Sequence, residues 1–286
     1  MSRARASRAA RLPVLRWHFP LPRTHTGVLL GNGIQGLMVW GETSLNVTVG
    51  HAGFWDHRGG NVAIEKTTFA EVRRLLEAGD LAGVKALFAN PSAEPGRSPR
   101  PQQLGGGRLE WHFARGLRPR IAELDLRSGV LSVAVGTESG EPVDSVRIEQ
   151  AAADALFWVT LDENRLGPIT LRLVPAWEHI GEQLALLGIA PPDCWETDSE
   201  GGFVQSLPAD PPLALGWRKC PGGWAVASAV ADDARALVTQ RLNEAATARE
   251  REAAARLRWR RRYWRQSDTV SLPEPDLQFV WHYGLH

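Results

Sequence analysis

The sequence predicts a mainly β protein, a large antiparallel β-sandwich with a short helix pair and a long C-terminal linker helix. Residues 28 to 50 alternate apolar and polar side chains around glycine turns, which is typical of a β-meander with one buried face. Between residues 104 and 230, many short apolar runs are separated by Gly-, Pro- and Ser-containing turns, the spacing of an antiparallel sandwich. Residues 234 to 265 contain no Gly or Pro and are rich in Ala, Glu and Arg, which indicates a helix.

The meander begins with a short apolar run and then turns at Asn32-Gly33, a strong hairpin signal because both residues tolerate positive φ. Asn32 is therefore interpreted as a turn residue. In the last strand Leu45, Val47 and Val49 are predicted to face the core. The chain then leaves the sheet into a glycine-flanked loop, residues 51 to 60.

That loop holds the candidate binding residues, Trp55, Asp56 and His57, with His51 as a weaker candidate. In the functional interpretation, Trp55 stacks on a sugar or barrel surface while Asp56 and His57 form hydrogen bonds with hydroxyl groups. In the structural alternative, Trp55 belongs to the core, and Asp56 and His57 fix a turn or pair with Arg58. His51 packs or caps the strand end in that alternative.

Two short helices are predicted after the loop, over residues 69 to 78 and 81 to 89. Thr67 or Thr68 can cap the first, with Glu71 at capping-box spacing from Thr68, and Asp80 can cap the second. Residues 90 to 103 are Pro-, Ser- and Arg-rich and are expected to form an exposed loop.

Composition excludes several function classes. The net charge of +1 argues against nucleic acid and membrane partners. The arginine run at residues 256 to 265 could contact nucleic acid, but glutamates just upstream favour a solvated or domain-bridging helix. Cys194 and Cys220, the only cysteines, are expected to be free, partly buried thiols. No cofactor or metal is expected, because no Cys/His group has zinc spacing.

Four segments are expected along the chain. Residues 1–14 form a disordered basic tail, 15–230 the β-sandwich, 231–275 the linker helix and an extended linker, and 276–286 the start of a further helical domain. The last segment is apolar and aromatic, so we expect a partner beyond it and interpret the chain as a fragment. The first residues lack the apolar region of a signal peptide, which leaves a cytoplasmic location as the default expectation.

The stretch Leu30 to Gly41, LGNGIQGLMVWG, resembles the opening LGNGRLGAMVFGG of glycoside hydrolase family 95, the α-L-fucosidase and α-L-galactosidase enzymes. The run from Leu45 to Trp55 lies where that family has a strand and then LNEDTLW. Residues 262–273 and 276–286 resemble the family's passage from linker helix into the first barrel helix. The helix pair also falls where the family has one, so the resemblance spans nearly the whole chain.

The resemblance implies an N-terminal β-sandwich of the super-sandwich type, a linker helix and an (α/α)6 barrel that carries the catalytic residues and is missing here. It therefore implies no catalytic residue in this chain, and a glycan substrate and the barrel domain as partners. In place of the family's Asn-Glu-Asp, this chain has a longer path from Asn46 to Trp55, so fucose specificity is not carried over.

Two functional hypotheses follow. In the first, the chain is the non-catalytic N-terminal domain of a glycoside hydrolase, inactive alone, whose 50 to 60 loop helps to close the sugar pocket of the barrel. In the second, it is a free-standing carbohydrate-binding or structural sandwich. A weaker third possibility is an interaction module that uses the arginine-rich helix.

Overall fold

The fold is a two-sheet antiparallel sandwich with a long helix against one outer face. The computed structural model describes residues 13–59, 67–88, 101–114, 116–267 and 270–286. The larger sheet has nine strands, in the spatial order β1-β8-β9-β10-β11-β16-β15-β14-β13. They are β1 (Val14–His18), β8 (Leu117–Asp125), β9 (Val130–Thr137), β10 (Pro142–Gln150), β11 (Leu156–Thr160), β13 (Asp193–Glu196), β14 (Glu200–Gln205), β15 (Leu213–Cys220) and β16 (Gly223–Val230).

The second sheet has five strands in the order β12-β7-β4-β3-β2, and the predicted meander forms three of them. Its strands are β2 (Val28–Gly31), β3 (Gln35–Trp40), β4 (Ser44–His51), β7 (Gly107–His112) and β12 (Thr170–Pro175). A separate two-stranded ribbon joins β5 (Trp55–Asp56) to β6 (Gln102–Gln103). The predicted fold class is therefore confirmed.

The core lies between the two large sheets. Leu37, Val47 and Leu109 from the smaller sheet and Leu124 and Val133 from the larger one are fully buried in a single cluster. Alternate residues along each strand supply these side chains, as the period of a half-buried strand requires. The largest buried side chain, Trp111, belongs to this cluster and meets Trp224 edge-on at 6.3 Å between ring centroids.

Six helices complete the described structure. They are α1 (Phe69–Glu77), α2 (Leu81–Leu87), α3 (Glu163–Leu166), α4 (Trp177–Leu186), α5 (Ala234–Gln266) and α6 (Pro275–Leu285). The predicted caps are present, since Thr68 accepts a hydrogen bond from the Glu71 amide and Asp80 accepts one from the Gly83 amide.

Helix α5 lies against the outer face of the nine-stranded sheet. Its contact side is made largely of alanines, with Ala234, Ala245 and Ala248 buried beside Val238 and Leu242. These small residues meet a small-residue strip on β15 and β16, which includes Ala214 and Ala225. The nine-stranded sheet therefore covers the alanine face of α5 over these turns.

The arginine run in α5 is also partly internal. Arg256 and Arg260 are buried, and both donate to backbone carbonyl oxygens of the sandwich. Trp264 likewise donates from its indole nitrogen to the Leu126 carbonyl oxygen at 2.8 Å. These two arginines therefore fasten the helix to the sheet, and the interpretation of the arginine run as solvated is wrong at Arg256 and Arg260.

The final helix, α6, also packs on the sandwich. Phe279 and Tyr283 each meet Trp17 of β1 edge-on at 5.2 Å, and the Leu29 amide donates to the Tyr283 hydroxyl at 2.6 Å. The expectation that this aromatic segment lacks a partner within the chain is therefore wrong, although Leu277 and Val280 remain exposed.

Several boundaries differ from the predictions. Val14, assigned to the disordered tail, pairs with Asp125 as the first residue of β1, while residues 1–12 of that tail lie outside the described residues. Strand β6 falls within the expected loop, and most of that loop also lies outside the described residues. Cys194 is an exposed free thiol and Cys220 a half-buried one. No helix in the described part of the chain combines the length and apolarity needed to cross a bilayer.

Candidate functional site

The 51–58 loop is held between the core and the surface. Phe54 anchors it, because its side chain is buried in the core between the two sheets. The Leu104 amide donates to the Phe54 carbonyl oxygen at 3.1 Å, and Trp55 and Asp56 then pair with Gln103 and Gln102 as a short ribbon. The core contact of Phe54 and the backbone pairing thus fix the loop independently of its polar side chains.

Asp56 lies beneath the loop surface. Its side chain is 1% exposed and forms an ion pair with Arg58, whose Nη2 donates to Oδ2 at 2.9 Å and whose Nε donates to Oδ1 at 2.9 Å. Arg58 also donates to the Leu187 carbonyl oxygen just after α4, and hydrogen bonding to Asp56 raises the pKa of Arg58. This geometry favours the structural alternative for Asp56, since both of its oxygens are engaged by Arg58.

His57 points outward but is fixed by a distant carboxylate. Its Nδ1 lies 2.7 Å from Oδ1 of Asp210, and its backbone amide donates to Oδ2 of the same residue at 2.8 Å. These hydrogen bonds lower the pKa of Asp210, the backbone donor most strongly. The His57 side chain remains 64% exposed, so its ring can contact a ligand while its orientation is set.

Trp55 is half-buried and is not a core residue. Its indole nitrogen donates to the Ala52 carbonyl oxygen at 2.8 Å, which fixes the ring against its own loop. The Trp55 and His57 rings stack with centroids 6.1 Å apart and planes 26° apart. We call this pair of rings the Trp55–His57 surface. It presents two oriented aromatic rings to solvent, which is an arrangement suited to contact with a flat apolar ligand face.

His51 lies at the end of β4, half-buried. Its Nδ1 accepts a hydrogen bond from the Gly53 amide at 3.1 Å, which helps to form the turn that precedes Phe54. Burial lowers the pKa of His51, and the charge of Arg241 lowers it further. The ring is therefore neutral near pH 7, and its observed contact matches the alternative in which it caps the strand end.

Two further polar residues of the smaller sheet and its turns, Asn32 and His112, have polar partners. Asn32 accepts hydrogen bonds from the amides of Ile34 and Gln35, as a turn residue does. Its amide nitrogen also donates to the carbonyl oxygens of Ala151 and Asp154, which ties the meander to the opposite sheet. His112 is half exposed and lies 3.2 Å from Glu110.

Sequence reasoning missed a cavity of about 750 Å³ beside the β2–β3 turn. Its walls come from the turn at residues 31–33, the β10–β11 connection, the last turns of α5 and the end of α6. These segments are far apart in the sequence, so no local pattern could bring them together. The available signal was the spacing of Arg256 and Arg260, which places both guanidinium groups on one helix face.

Among the described residues of this loop and its contacts, neither of the two carboxyl groups, Asp56 and Asp210, is free to act in hydrolysis. A glycosidase needs two carboxyl groups about 5 to 10 Å apart and open to the scissile bond. Here Asp56 is buried and Asp210 is held by His57, so neither is presented as an acid or base. Within the described residues, no group of three or more His, Cys, Asp or Glu side chains could hold a metal ion.

Comparison with known proteins yields little at the level of sequence. No protein-family model matches the chain, and no curated protein gives a significant match. One similar solved structure is described as "Putative kojibiose phosphorylase from human microbiome". It is 10% identical to this chain, with a TM-score of 0.49, and the match covers 95% of this chain and 40% of that one. The chain therefore spans less than half the length of the structure it matches.

Proposed function

We propose that this chain is the non-catalytic N-terminal sandwich and linker helix of a glycoside hydrolase related to family 95, and that its 51–58 loop contacts carbohydrate. In this role the Trp55–His57 surface forms part of the wall of a sugar pocket completed by an (α/α)6 barrel. The chain alone is inactive, because the family's catalytic groups belong to that barrel.

One observation carries the proposal: Trp55 and His57 are partly exposed, stacked, and each fixed by a hydrogen bond of its own. Aromatic rings bind the apolar face of a sugar most effectively when their orientation costs no entropy on binding. The motif from Leu30 to Gly41 adds support, because it forms the β2–β3 hairpin of the sheet from which this loop emerges.

A free-standing carbohydrate-binding or structural sandwich is the second candidate. The packing of α6 on β1 and β2 favours it, because this helix already has a partner within the chain. The coding sequence distinguishes the two roles. A reading frame that continues past His286 into a helical domain supports the first, and a stop codon there supports the second.

Two measurements on this chain test the proposal. Aryl α-L-fucosides and α-L-galactosides should not be turned over, and robust hydrolysis would contradict the non-catalytic role. Titration calorimetry with neutral mono- and oligosaccharides should show weak binding that Trp55→Ala reduces about tenfold, the loss of roughly 1.4 kcal/mol of stacking. Phe69→Ala is the matched control, because Phe69 is an aromatic residue that is 82% exposed and belongs to α1 rather than to this loop.

A further inference from the structure

The cavity beside the β2–β3 turn has an unusual charge balance. None of the residues that line it has a carboxylate side chain, whereas two have a guanidinium group. The lining includes backbone from Gly31, Gly33 and Gly129 and the side chains of Arg256, Trp259 and Arg260. A cavity of about 750 Å³ falls within the size range of small-molecule sites.

Arg260 is the buried cation of this cavity. It is 5% exposed, and its Nη1 donates to the Leu126 carbonyl oxygen at 3.3 Å and lies 3.1 Å from Nδ1 of His286. Within the described part of the chain, no carboxylate oxygen lies within the 4.0 Å of an ion pair with its guanidinium group. A buried charge without such a partner is costly unless a ligand supplies the opposite charge.

Gly129 makes room for this arrangement. A Cβ atom at that position would lie 2.1 Å from Nε of Arg260, so only glycine allows the guanidinium group to rest there. Burial lowers the pKa of Arg260 to about 10, the charge of Arg256 lowers it further, and the charge of Asp125 acts in the opposite direction. The group is still cationic at pH 7.

The neighbouring arginine, Arg256, differs from Arg260 because it forms an ion pair with a carboxylate. Its Nη2 lies 3.1 Å from Oε1 of Glu149, and it also donates to the carbonyl oxygens of Ser128 and Gln150. Glu149 is shared with Arg249, at Oε2, and with Arg147 at 3.7 Å. One carboxylate thus serves three arginines.

Trp259 supplies an apolar wall. Its side chain is 54% exposed, and the Arg260 guanidinium carbon lies 5.9 Å from its ring centroid. Asn32 offers no free amide here, because both of its polar atoms are already hydrogen-bonded. The site therefore fits a ligand whose anionic group meets Arg260 and whose ring or carbon skeleton lies against Trp259.

We propose that this cavity binds a small organic anion, a carboxylate or phosphate ester of about monosaccharide to disaccharide size, through Arg260. The site is separate from the Trp55–His57 surface and does not rest on the proposed function. A neutral sugar should not occupy it, so its ligands and those of the loop are distinguishable by charge.

Calorimetry on the full chain tests the site with glucose 6-phosphate and glucuronate as probes, glucose as their neutral counterpart, and inorganic phosphate. At least one organic anion should bind, and glucose should not compete with it. Arg260→Gln should weaken that binding about tenfold or more, since a charge-assisted hydrogen bond contributes roughly 1.5 to 3 kcal/mol. Arg258→Gln removes an exposed charge from the same helix and should leave the affinity unchanged.

A second variant separates loss of the site from loss of the fold. Ala152→Phe places a ring in the cavity without removing a charge, so it should block the anion while far-ultraviolet circular dichroism stays unchanged. Binding only of glucuronate or only of the phosphate ester identifies the anionic group. The proposal is overturned if no anion binds at about 10 mM, or if Arg260→Gln and Ala152→Phe bind as well as the wild type.

Discussion

Neighbouring residues in the 51–58 loop make different contacts because they are buried to different extents. Phe54 enters the core, Asp56 is buried with Arg58, and Trp55 and His57 remain partly exposed. Period-two alternation along the short strand β5 explains the division, since successive side chains point to opposite sides. A ligand can therefore reach Trp55 and His57 without disturbing the ion pair beneath them.

Replacing Asp56 by Asn should destabilise the fold by about 3 kcal/mol, because it removes the charge of a buried carboxylate from its ion pair with Arg58. Urea unfolding followed by tryptophan fluorescence measures the change. Glu77→Gln is the control, since it removes a carboxylate from an exposed ion pair with Arg73 and should have no measurable effect. Equal stability of Asp56→Asn and the wild type would refute the structural role.

The side-chain contacts of single residues were partly predictable from the sequence. The Asn32 turn and the Asp56–Arg58 pair follow from residues two or three positions apart, whose geometry the backbone fixes. The His57–Asp210 contact joins residues 153 positions apart. It depends on how two sheets are placed against each other, which no local pattern specifies.

At the scale of elements, α5 is held by close approach of small side chains to the sheet. The Cβ that Gly216 lacks would lie 2.9 Å from Cγ1 of Val238, which shows how near the helix comes to β15. The caps of α1 and α2 were predictable because capping is local. The contact face of α5 was not, because an alanine stripe is compatible with either a buried or a solvated helix.

Replacing Ala245 by Leu should therefore destabilise the protein by about 1 to 3 kcal/mol, because the added atoms must fit between α5 and the nine-stranded sheet. Its neighbour Ala246 is exposed, and Ala246→Leu should stay within about 0.5 kcal/mol of the wild type. Denaturant unfolding of the two variants compares them directly. Equal effects would show that the helix does not pack on the sheet through this face.

Glu149 should make the attachment of α5 sensitive to acid. Burial alone would raise its pKa, but the hydrogen bond from Arg249 and the charges of Arg249, Arg256 and Arg147 outweigh this and lower it from 4.5. The folded state therefore binds this proton less readily than the unfolded chain. Its contribution is complete above about pH 4.5 and is lost as the pH falls through the lowered pKa.

Glu149→Gln should accordingly lower the free energy of unfolding by about 3 kcal/mol at neutral pH. Between about pH 5 and 3, this variant should lose less stability than the wild type does. Urea midpoints measured across this range provide the comparison. Glu250→Gln, an exposed change on the same helix, should follow the wild-type curve. A Glu149→Gln curve parallel to that of the wild type would contradict the assigned role.

At the scale of the whole molecule, three layers stack in order: the five-stranded sheet, the nine-stranded sheet and helix α5. Strand periodicity and turn residues predicted the two sheets because each strand carries its own alternating pattern. The third layer and the cavity at its end depend on contacts between distant segments. The domain boundaries from the sequence, residues 15–230 and 231–275, stay a prediction, with α5 in contact with the sandwich across them.

The central claim is that the 51–58 loop contacts carbohydrate through the Trp55 ring. Proton–nitrogen correlation spectra resolve indole resonances, and Trp55→Phe assigns the one from Trp55. The Trp55 Nε1–H group donates to the Ala52 carbonyl oxygen and belongs to the contact surface. Titration with L-fucose, D-galactose and neutral oligosaccharides should therefore shift the Trp55 indole signal in a saturable way. A Trp55 signal that stays unmoved by every sugar at saturating concentration would contradict the account.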